Sequence, residues 1–269
     1  MAGAVQIELD AYFKRIGIAR PARPDAAALE AVQRAQRFAV PFENLDIALG
    51  RGISLAPDAV FDKLVTRRRG GYCFEQNQLF LRALSDLGFE ARPLLARVWL
   101  GASEPQPRTH TFSLVTLDRR EWIADAGFGG AYTPTMMLAQ GAPVTTSDGA
   151  RYRLLEGTAH GWMLERDAGS GWQAQYSFTT QPVFAADLEM GNHWTSTRPG
   201  TRFTTLRMVS RPDRDGFTSI IDTRLTRHDA GTVTEREIAS AGEWRRLAEG
   251  CGLSLTADEV QALGLFGPA

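Results

Sequence analysis

Apolar and polar positions along this chain change period near Arg92, helical before it and strand-like after it. Between Gln6 and Ile16 the apolar residues recur at helical spacing, and Pro24-Asp25 opens an alanine-rich helix to about Phe38 with Asp25 as its N-cap. Pro57-Asp58 begins another helix through Val65, proline suiting the first turn. A further helix starts at Cys73, with Phe74, Leu81, Leu84 and Leu87 on one face and Gly88 as its stop. Beyond Arg92, short runs separated by Gly, Asp or Ser predict strands over 93–100, 111–117, 121–124, 151–155, 162–165 and 172–178. Serial strands of this kind build an antiparallel barrel or sandwich. A connecting helix is expected over 182–190, then strands over 202–210, 218–227 and 232–238. Two helices close the chain, opened by the capping boxes Ser240-Ala-Gly-Glu243 and Thr256-Ala-Asp-Glu259. The pattern predicts an α+β body in three consecutive regions, helical over 1–90, an antiparallel barrel or sandwich over 91–190 and mixed α/β over 191–269.

Within that pattern, Arg69-Gly70-Gly71-Tyr72-Cys73 places a lone thiol where a glycine-rich turn gives way to a helix. First-turn N–H groups and the helix dipole stabilise a thiolate, and Arg67, Arg68 and Arg69 are expected to add positive charge. A free cysteine is more often simply buried. Two glycines immediately before the helix favour the reactive reading. A nucleophile needs a base, and the chain has four histidines: His110, His160, His193 and His228. His110 opens the run Thr111-Phe-Ser-Leu-Val-Thr-Leu117, at a strand start where clefts form. The next strand ends on Asp125 and enters the loop Ala126-Gly-Phe-Gly-Gly130. A hairpin turning at Asp118-Arg119-Arg120 brings His110 and Asp125 together, the carboxylate orienting the imidazole. Taken singly, His110 reads as a hydrogen-bonded strand residue and Asp125 as a turn former. His160 and His228 sit in turn-like surroundings at the surface, His193 reads as structural, and Cys251 as a buried small residue.

These three places resemble the arylamine N-acetyltransferase family. The matching pieces are Arg69-Gly-Gly-Tyr-Cys-Phe-Glu-Gln-Asn77, His110-Thr-Phe-Ser-Leu-Val115 and Asp125-Ala-Gly-Phe-Gly-Gly130. Tyr12-Phe-Lys-Arg-Ile-Gly17, Pro41-Phe-Glu-Asn-Leu-Asp46 and Asn192-His-Trp-Thr-Ser-Thr197 extend the likeness in the expected order, with the last third matching least. The resemblance implies a helical bundle, a barrel and an α/β lid around a Cys73-His110-Asp125 triad with a cysteine-protease-like core. It also implies acetyl-coenzyme A as co-substrate and aromatic amines or hydrazines as acceptors, in two-step ping-pong transfer through acetyl-Cys73. Phe42, Val98, Phe128 and Phe203 match positions near the acceptor amine. Of these, Phe128 has a case of its own in the loop after Asp125, while Phe42 and Phe203 read equally as core. Gly129 and Gly130 either let a pantetheine arm approach the backbone or simply make a turn. The N–H groups of Cys73 and Thr111 are candidate oxyanion donors. Glu43 and Arg69 form either a buried pair holding the Cys73 loop or two solvated charges. Two other functions are open: an amide synthase using the same Cys73, His110 and Asp125 on a carrier-bound polyketide, with a hydrolytic cysteine enzyme as a weaker variant, and a binding protein that keeps the fold without catalysis. The last has no need of a thiolate beside a base.

Composition narrows this little. Over 269 residues, 30 Lys and Arg against 31 Asp and Glu give non-specific nucleic-acid binding no support. Two cysteines suit a reducing compartment rather than a disulfide framework, and with four scattered histidines they show no zinc-ligand spacing, so no metal is expected. The first thirty residues carry no signal pattern and no run reaches membrane-spanning length, so a cytoplasmic protein is expected. Self-association is left open.

Overall fold

The computed structural model describes residues 8–229 and 231–267. The predicted start of the first helix, Gln6 and Ile7, lies outside them. The chain opens with α1 (Leu9–Ile16) and α2 (Ala26–Ala39), and Asp25 caps α2 as expected by accepting the Ala28 N–H at 2.9 Å. A two-residue strand, β1 (Phe42–Glu43), and a short α3 (Leu45–Ala48) follow. The helix expected over 57–65 is instead α4 (Pro57–Phe61) running into a π-helical turn, Asp62–Thr66. Next comes α5 (Cys73–Asp86). Of the face predicted for it, Phe74 and Leu84 are buried, but Leu81 and Leu87 are only half-buried, and Leu79, Phe80 and Ala83 contact the core instead. The correction has a simple cause. The first two turns of α5 are enclosed on all sides, so the polar Gln76 and Asn77 are buried as well and a one-face pattern does not apply.

Eight strands then form one antiparallel sheet: β2 (Glu90–Val98), β3 (Arg108–Leu117), β4 (Arg120–Ala124), β5 (Met136–Met137), β6 (Val144–Thr145), β7 (Arg151–Thr158), β8 (Gly161–Asp167) and β9 (Trp172–Phe178). The order is β5-β4-β3-β2-β9-β8-β7-β6, a sheet rolled into a nearly closed barrel around Leu94, Phe112, Leu154, Leu164 and Tyr176. Pro93 is tolerated inside β2 because β9 pairs only with Ala96, Arg97 and Val98, leaving one side of the strand unpaired at the proline.

The last third departs most from expectation. The connecting helix α6 (Ala185–Thr197) starts three residues later than predicted and continues through the Asn192–Thr197 motif. The strand expected over 202–210 begins as α7 (Arg202–Thr205), because Thr201 and Thr205 bond back to the local backbone, and only then becomes β10 (Met208–Pro212). The single strand expected over 218–227 is a hairpin, β11 (Gly216–Ile221) and β12 (Arg224–Asp229), folded at Asp222, whose φ is 51°. With β13 (Thr232–Glu237) these strands form a second antiparallel sheet, β1-β10-β11-β12-β13, so the C-terminal sheet draws its first strand from the N-terminal region. The closing helices are α8 (Ala241–Gly250) and α9 (Ala257–Ala262). The second capping box forms as predicted; in the first, Glu243 reaches one residue further, to the Ala239 N–H at 2.8 Å. Among the described residues no helix is long and apolar enough to cross a membrane.

Beneath the loop that leads to Cys73 lies a buried ionic network. Glu43 and Arg69 are a buried pair, Nη2 to Oε1 at 3.1 Å, and Arg69 also meets Asp46 and Glu259, each at 3.4 Å. Lys63 Nζ bridges Asp46 at 2.8 Å and Glu75 at 2.7 Å, while Glu75 caps α5 through the Tyr72 N–H at 3.1 Å. Burial lifts the Glu75 carboxyl to about 7 despite Lys63. Removing one partner of such a network leaves buried charge without compensation. Lys63→Met is therefore expected to cost about 3–5 kcal/mol of stability in urea denaturation. A wild-type midpoint would show that the network does not hold the fold.

Candidate active site

Cys73 is the first residue of α5, its thiol donating to the Thr109 carbonyl at 3.7 Å. The glycine-rich approach is required by packing: a Cβ on Gly70 would lie 2.4 Å from the Pro41 carbonyl oxygen. Of the three arginines expected to add charge here, Arg67 pairs with Asp62 at 2.7 Å, Arg69 belongs to the acidic network, and Arg68 is exposed. The positive setting of the sulfur is left to the helix start and to His110.

The hairpin forms as predicted, with Leu117 opposite Arg120 and Ser113 opposite Ala124. That register brings the end of β4 beside His110, and His110 Nε2 meets Asp125 Oδ2 at 2.7 Å. With Nε2 on the carboxylate, Nδ1 is the nitrogen left for the Cys73 sulfur, which is the other hydrogen-bonding partner of the ring. Asp125 is 1% exposed and fully engaged. Its Oδ1 accepts from Asn77 Nδ2 at 3.1 Å and from the Gly127 N–H at 3.0 Å. Its own N–H donates to Gln33 Oε1 at 2.6 Å. A Cβ at Gly127 would lie 2.5 Å from Asn77 Nδ2 and 3.0 Å from Cys73 Cα, so only glycine lets this loop close onto the helix start.

Burial works against charge on both partners, and their mutual attraction outweighs it. For His110, the Asp125 charge and hydrogen bond, with the Cys73 sulfur, raise the pKa to about 10. For Asp125, His110, the Gly127 N–H and the Asn77 amide hold the carboxyl below its ordinary range. The imidazole lies in an aromatic box, with Phe128 at 5.0 Å, Tyr176 at 5.1 Å and Phe112 at 6.1 Å between ring centroids.

A cavity of about 880 Å³ opens where the barrel meets the C-terminal sheet. Cys73, His110, Phe42, Val98, Phe128, Gly129, Gly130 and Phe203 all line it, whereas Asp125 is sealed behind His110. Thr111 is 1% exposed and lies one residue behind the lining pair Thr109 and His110, with its carbonyl bound by Asn77 at 2.6 Å. Gly130 donates its N–H to Ser210 Oγ at 3.1 Å and accepts from Arg37 at 3.2 Å. Gly129 packs on the Phe42 ring, and Phe42 meets Phe203 at 6.1 Å. His193 and its neighbour Trp194 are exposed, and Trp194 lines the cavity. His160 is half-buried against Trp99, and Cys251 is buried. Half-buried rather than superficial, His228 stacks on Phe217 at 4.0 Å and also lines the cavity. Sequence reasoning assigned nothing to Gln33, Asn77 or Tyr176. Asn77 stands inside the quoted cysteine motif and was legible as a neighbour of the site; Gln33, in an ordinary helical run, gave no signal.

This is a buried, charged imidazole–carboxylate pair beside a helix-terminal thiol, facing a cavity walled by aromatic rings: the layout of a cysteine enzyme that handles acyl groups. The chain's residues 25–260 match the family model for N-acetyltransferase. It is 39% identical over 233 residues to the arylamine N-acetyltransferase / N-hydroxyarylamine O-acetyltransferase of Salmonella typhimurium, covering 85% of this chain and 82% of that one. A solved structure of the arylamine N-acetyltransferase from Salmonella typhimurium superposes with a TM-score of 0.90 at 32% identity, over 97% of this chain and 100% of that one. That of Mycobacterium marinum, in complex with CoA, gives 0.88 at 30% identity over 95% and 98%. The chain belongs to the arylamine N-acetyltransferase family and is an acyltransferase.

The pKa shifts fix the pH window of the buried pair. His110 titrates at about 10 in the fold against an ordinary 6.5, so its charged pairing contributes fully below 6.5 and is lost as pH rises through about 10. Asp125, held below 3.8, contributes above that pH and loses its contribution as pH falls. The melting-temperature gap between wild type and Asp125→Asn should therefore be widest at about pH 6 and narrow towards about pH 10. A gap independent of pH across that range would mean that the pair is uncharged.

Proposed function

We propose that this enzyme transfers acetyl groups from acetyl-coenzyme A to arylamines, arylhydrazines or hydrazides through an acetyl-Cys73 intermediate. The observation that carries this reading is the His110–Asp125 pair, buried and charge-stabilised, with the Cys73 sulfur on its open side. In the first half-reaction the Cys73 thiolate attacks the acetyl carbonyl. The oxyanion is met by the N–H groups of Cys73 and Thr111, and losing one such donor would cost about 3 kcal/mol of barrier stabilisation. On collapse the His110 imidazolium gives its proton to the departing coenzyme thiolate. One thioester replaces another, so the acyl-enzyme keeps its reactivity. In the second half-reaction an uncharged amine attacks the acyl carbon. His110, now neutral, takes the N–H proton as the C–N bond forms, and Cys73 leaves as thiolate.

The lining residues fit both substrates. The cavity, about 880 Å³, has ligand-site dimensions, and Gly127, Gly129 and Gly130 leave bare backbone in its wall on either side of Phe128. Gly129 and Gly130 are our candidates for the wall beside a pantetheine arm. Phe42, Val98, Phe128 and Phe203 offer ring faces and apolar surface to a flat aromatic acceptor and keep competing water from the acyl carbon.

Incubation with acetyl-coenzyme A alone should add one acetyl group to Cys73 by intact mass, discharged when an arylamine is added. Cys73→Ala should neither form the adduct nor transfer. No adduct on the wild-type protein, or transfer retained by Cys73→Ala, would remove Cys73 as the nucleophile.

A further inference from the structure

The cavity carries a charged feature on its lip, away from Cys73. Where α6 ends, the chain turns through Pro199 and Gly200 into α7, and residues of this turn line the mouth. Its backbone is fixed by its own threonines. The Thr201 N–H and Thr204 Oγ1 both donate to the Arg198 carbonyl, at 3.3 and 2.9 Å, and Thr201 Oγ1 donates to the Thr195 carbonyl at 3.2 Å. Arg198 and Arg202 project from this rigid turn. Both line the cavity and both are exposed, and among the described residues neither guanidinium has a carboxylate or hydrogen-bond partner. Arg166, the other arginine in the lining, is already engaged by Asp148 at 3.5 Å. Glu235, the lining carboxylate, accepts from Thr226 at 3.3 Å. Arg198 lies over the Trp194 indole, 4.1 Å from its centroid. Stacking occupies the face of a guanidinium and leaves its N–H edge free to donate in plane.

We infer that Arg198 and Arg202 form an anion subsite at the cavity mouth, one that takes a phosphate of the acyl donor or a carboxylate on the acceptor amine. This rests on the acyl-transfer reading above. An anion gripped there fixes the far end of a substrate whose reactive end reaches Cys73, and charge-assisted pairing to arginine is the strongest form of that grip.

The test compares wild type with the double variant Arg198→Gln/Arg202→Gln in two arms. The donor arm sets acetyl-coenzyme A against S-acetylpantetheine, the same thioester without the phosphates and the adenosine, with an uncharged aniline as acceptor. The acceptor arm sets 4-aminobenzoate against its methyl ester, with S-acetylpantetheine as donor. The charged-to-uncharged ratio of kcat/KM should fall at least about tenfold in one arm, carried by KM, and the double lysine variant should recover part of it. A fall in the donor arm that the lysine variant partly recovers assigns the subsite to phosphate, since lysine restores the charge but not a planar stack on the adenine; a fall in the acceptor arm assigns it to carboxylate. A folding defect would lower both members of a pair alike and leave the ratio in place. Ratios within about twofold of wild type in both arms overturn the subsite. Absence of turnover by the wild-type protein with either donor would instead refute the acyl-transfer reading. In that case calorimetric affinity for coenzyme A and for 4-aminobenzoate decides the subsite: unchanged values in the double variant overturn it, and weakening towards either anion upholds it.

Discussion

One ionised carboxylate, sealed from water, organises this molecule. A buried carboxylate without partners is prohibitively costly, so each of its lone pairs must be met by a donor held in place by the fold. Asp125 draws on His110 from β3, Asn77 from α5 and the Gly127 N–H from its own loop, and its backbone N–H is tied to Gln33 on α2. Four segments converge on one residue, three of them on its carboxylate. The consequence for chemistry is direct: the convergence that satisfies the carboxylate also fixes the imidazole, favours its charged form and turns its remaining nitrogen towards the sulfur. Stability and reactivity here have the same physical origin.

That convergence also explains how the site combines a dry acid–base pair with an open cavity. His110 and Asp125 are 2% and 1% exposed, so the pair lies behind the wall while only the edge of the ring and the sulfur face the open space. Asp125 and the Cys73 sulfur favour the charged form of His110, and the aromatic box of Phe112, Phe128 and Tyr176 encloses the ring. Burial and the Asp125 charge hold the Tyr176 phenol well above its ordinary pKa, so it stays neutral and adds no competing charge.

The Cys73, His110 and Asp125 arrangement was legible in the sequence because each residue stands at an end of a strongly patterned element, and a short hairpin fixes the distance between two of them. Six of the eight barrel strands were legible for the same reason, alternation bounded by turn residues; β5 and β6, two residues each, are too short to show it. What failed did so where backbone conformation is decided by contacts the pattern does not record. Asp222 adopts a left-handed turn although it is not glycine, and the turn is held by Arg207, whose N–H it accepts at 2.9 Å. Residues 202–205 turn helical because threonine hydroxyls satisfy local carbonyls, an outcome strand propensity cannot anticipate. Gln33 and Gln76 are polar residues in helical runs, yet both are fully buried, their amides closing hydrogen bonds to segments far away in the chain. Long-range polar satisfaction is invisible to periodicity.

The same kind of contact decides what the last third of the chain is. The residues flanking the nucleophile both reach into it. Arg69 bonds Glu259 on α9, 190 residues away, and Tyr72 donates its hydroxyl to Asn192 on α6, 120 residues away. Phe42 on β1 adds a strand to the C-terminal sheet while its ring packs against Phe203 and Gly129. A segment bound at these points is not a cover laid over a finished site. Displacing α6 or α9 would break buried polar contacts of Tyr72 and Arg69, the residues that hold the Cys73 loop, so the geometry of the sulfur and the position of the cavity wall are coupled. This coupling gives the Asn192–Thr197 motif a physical reason to stand in this chain although none of its side chains touches His110 or Asp125. Its first residue braces the nucleophile loop, and its third, Trp194, carries the wall of the cavity.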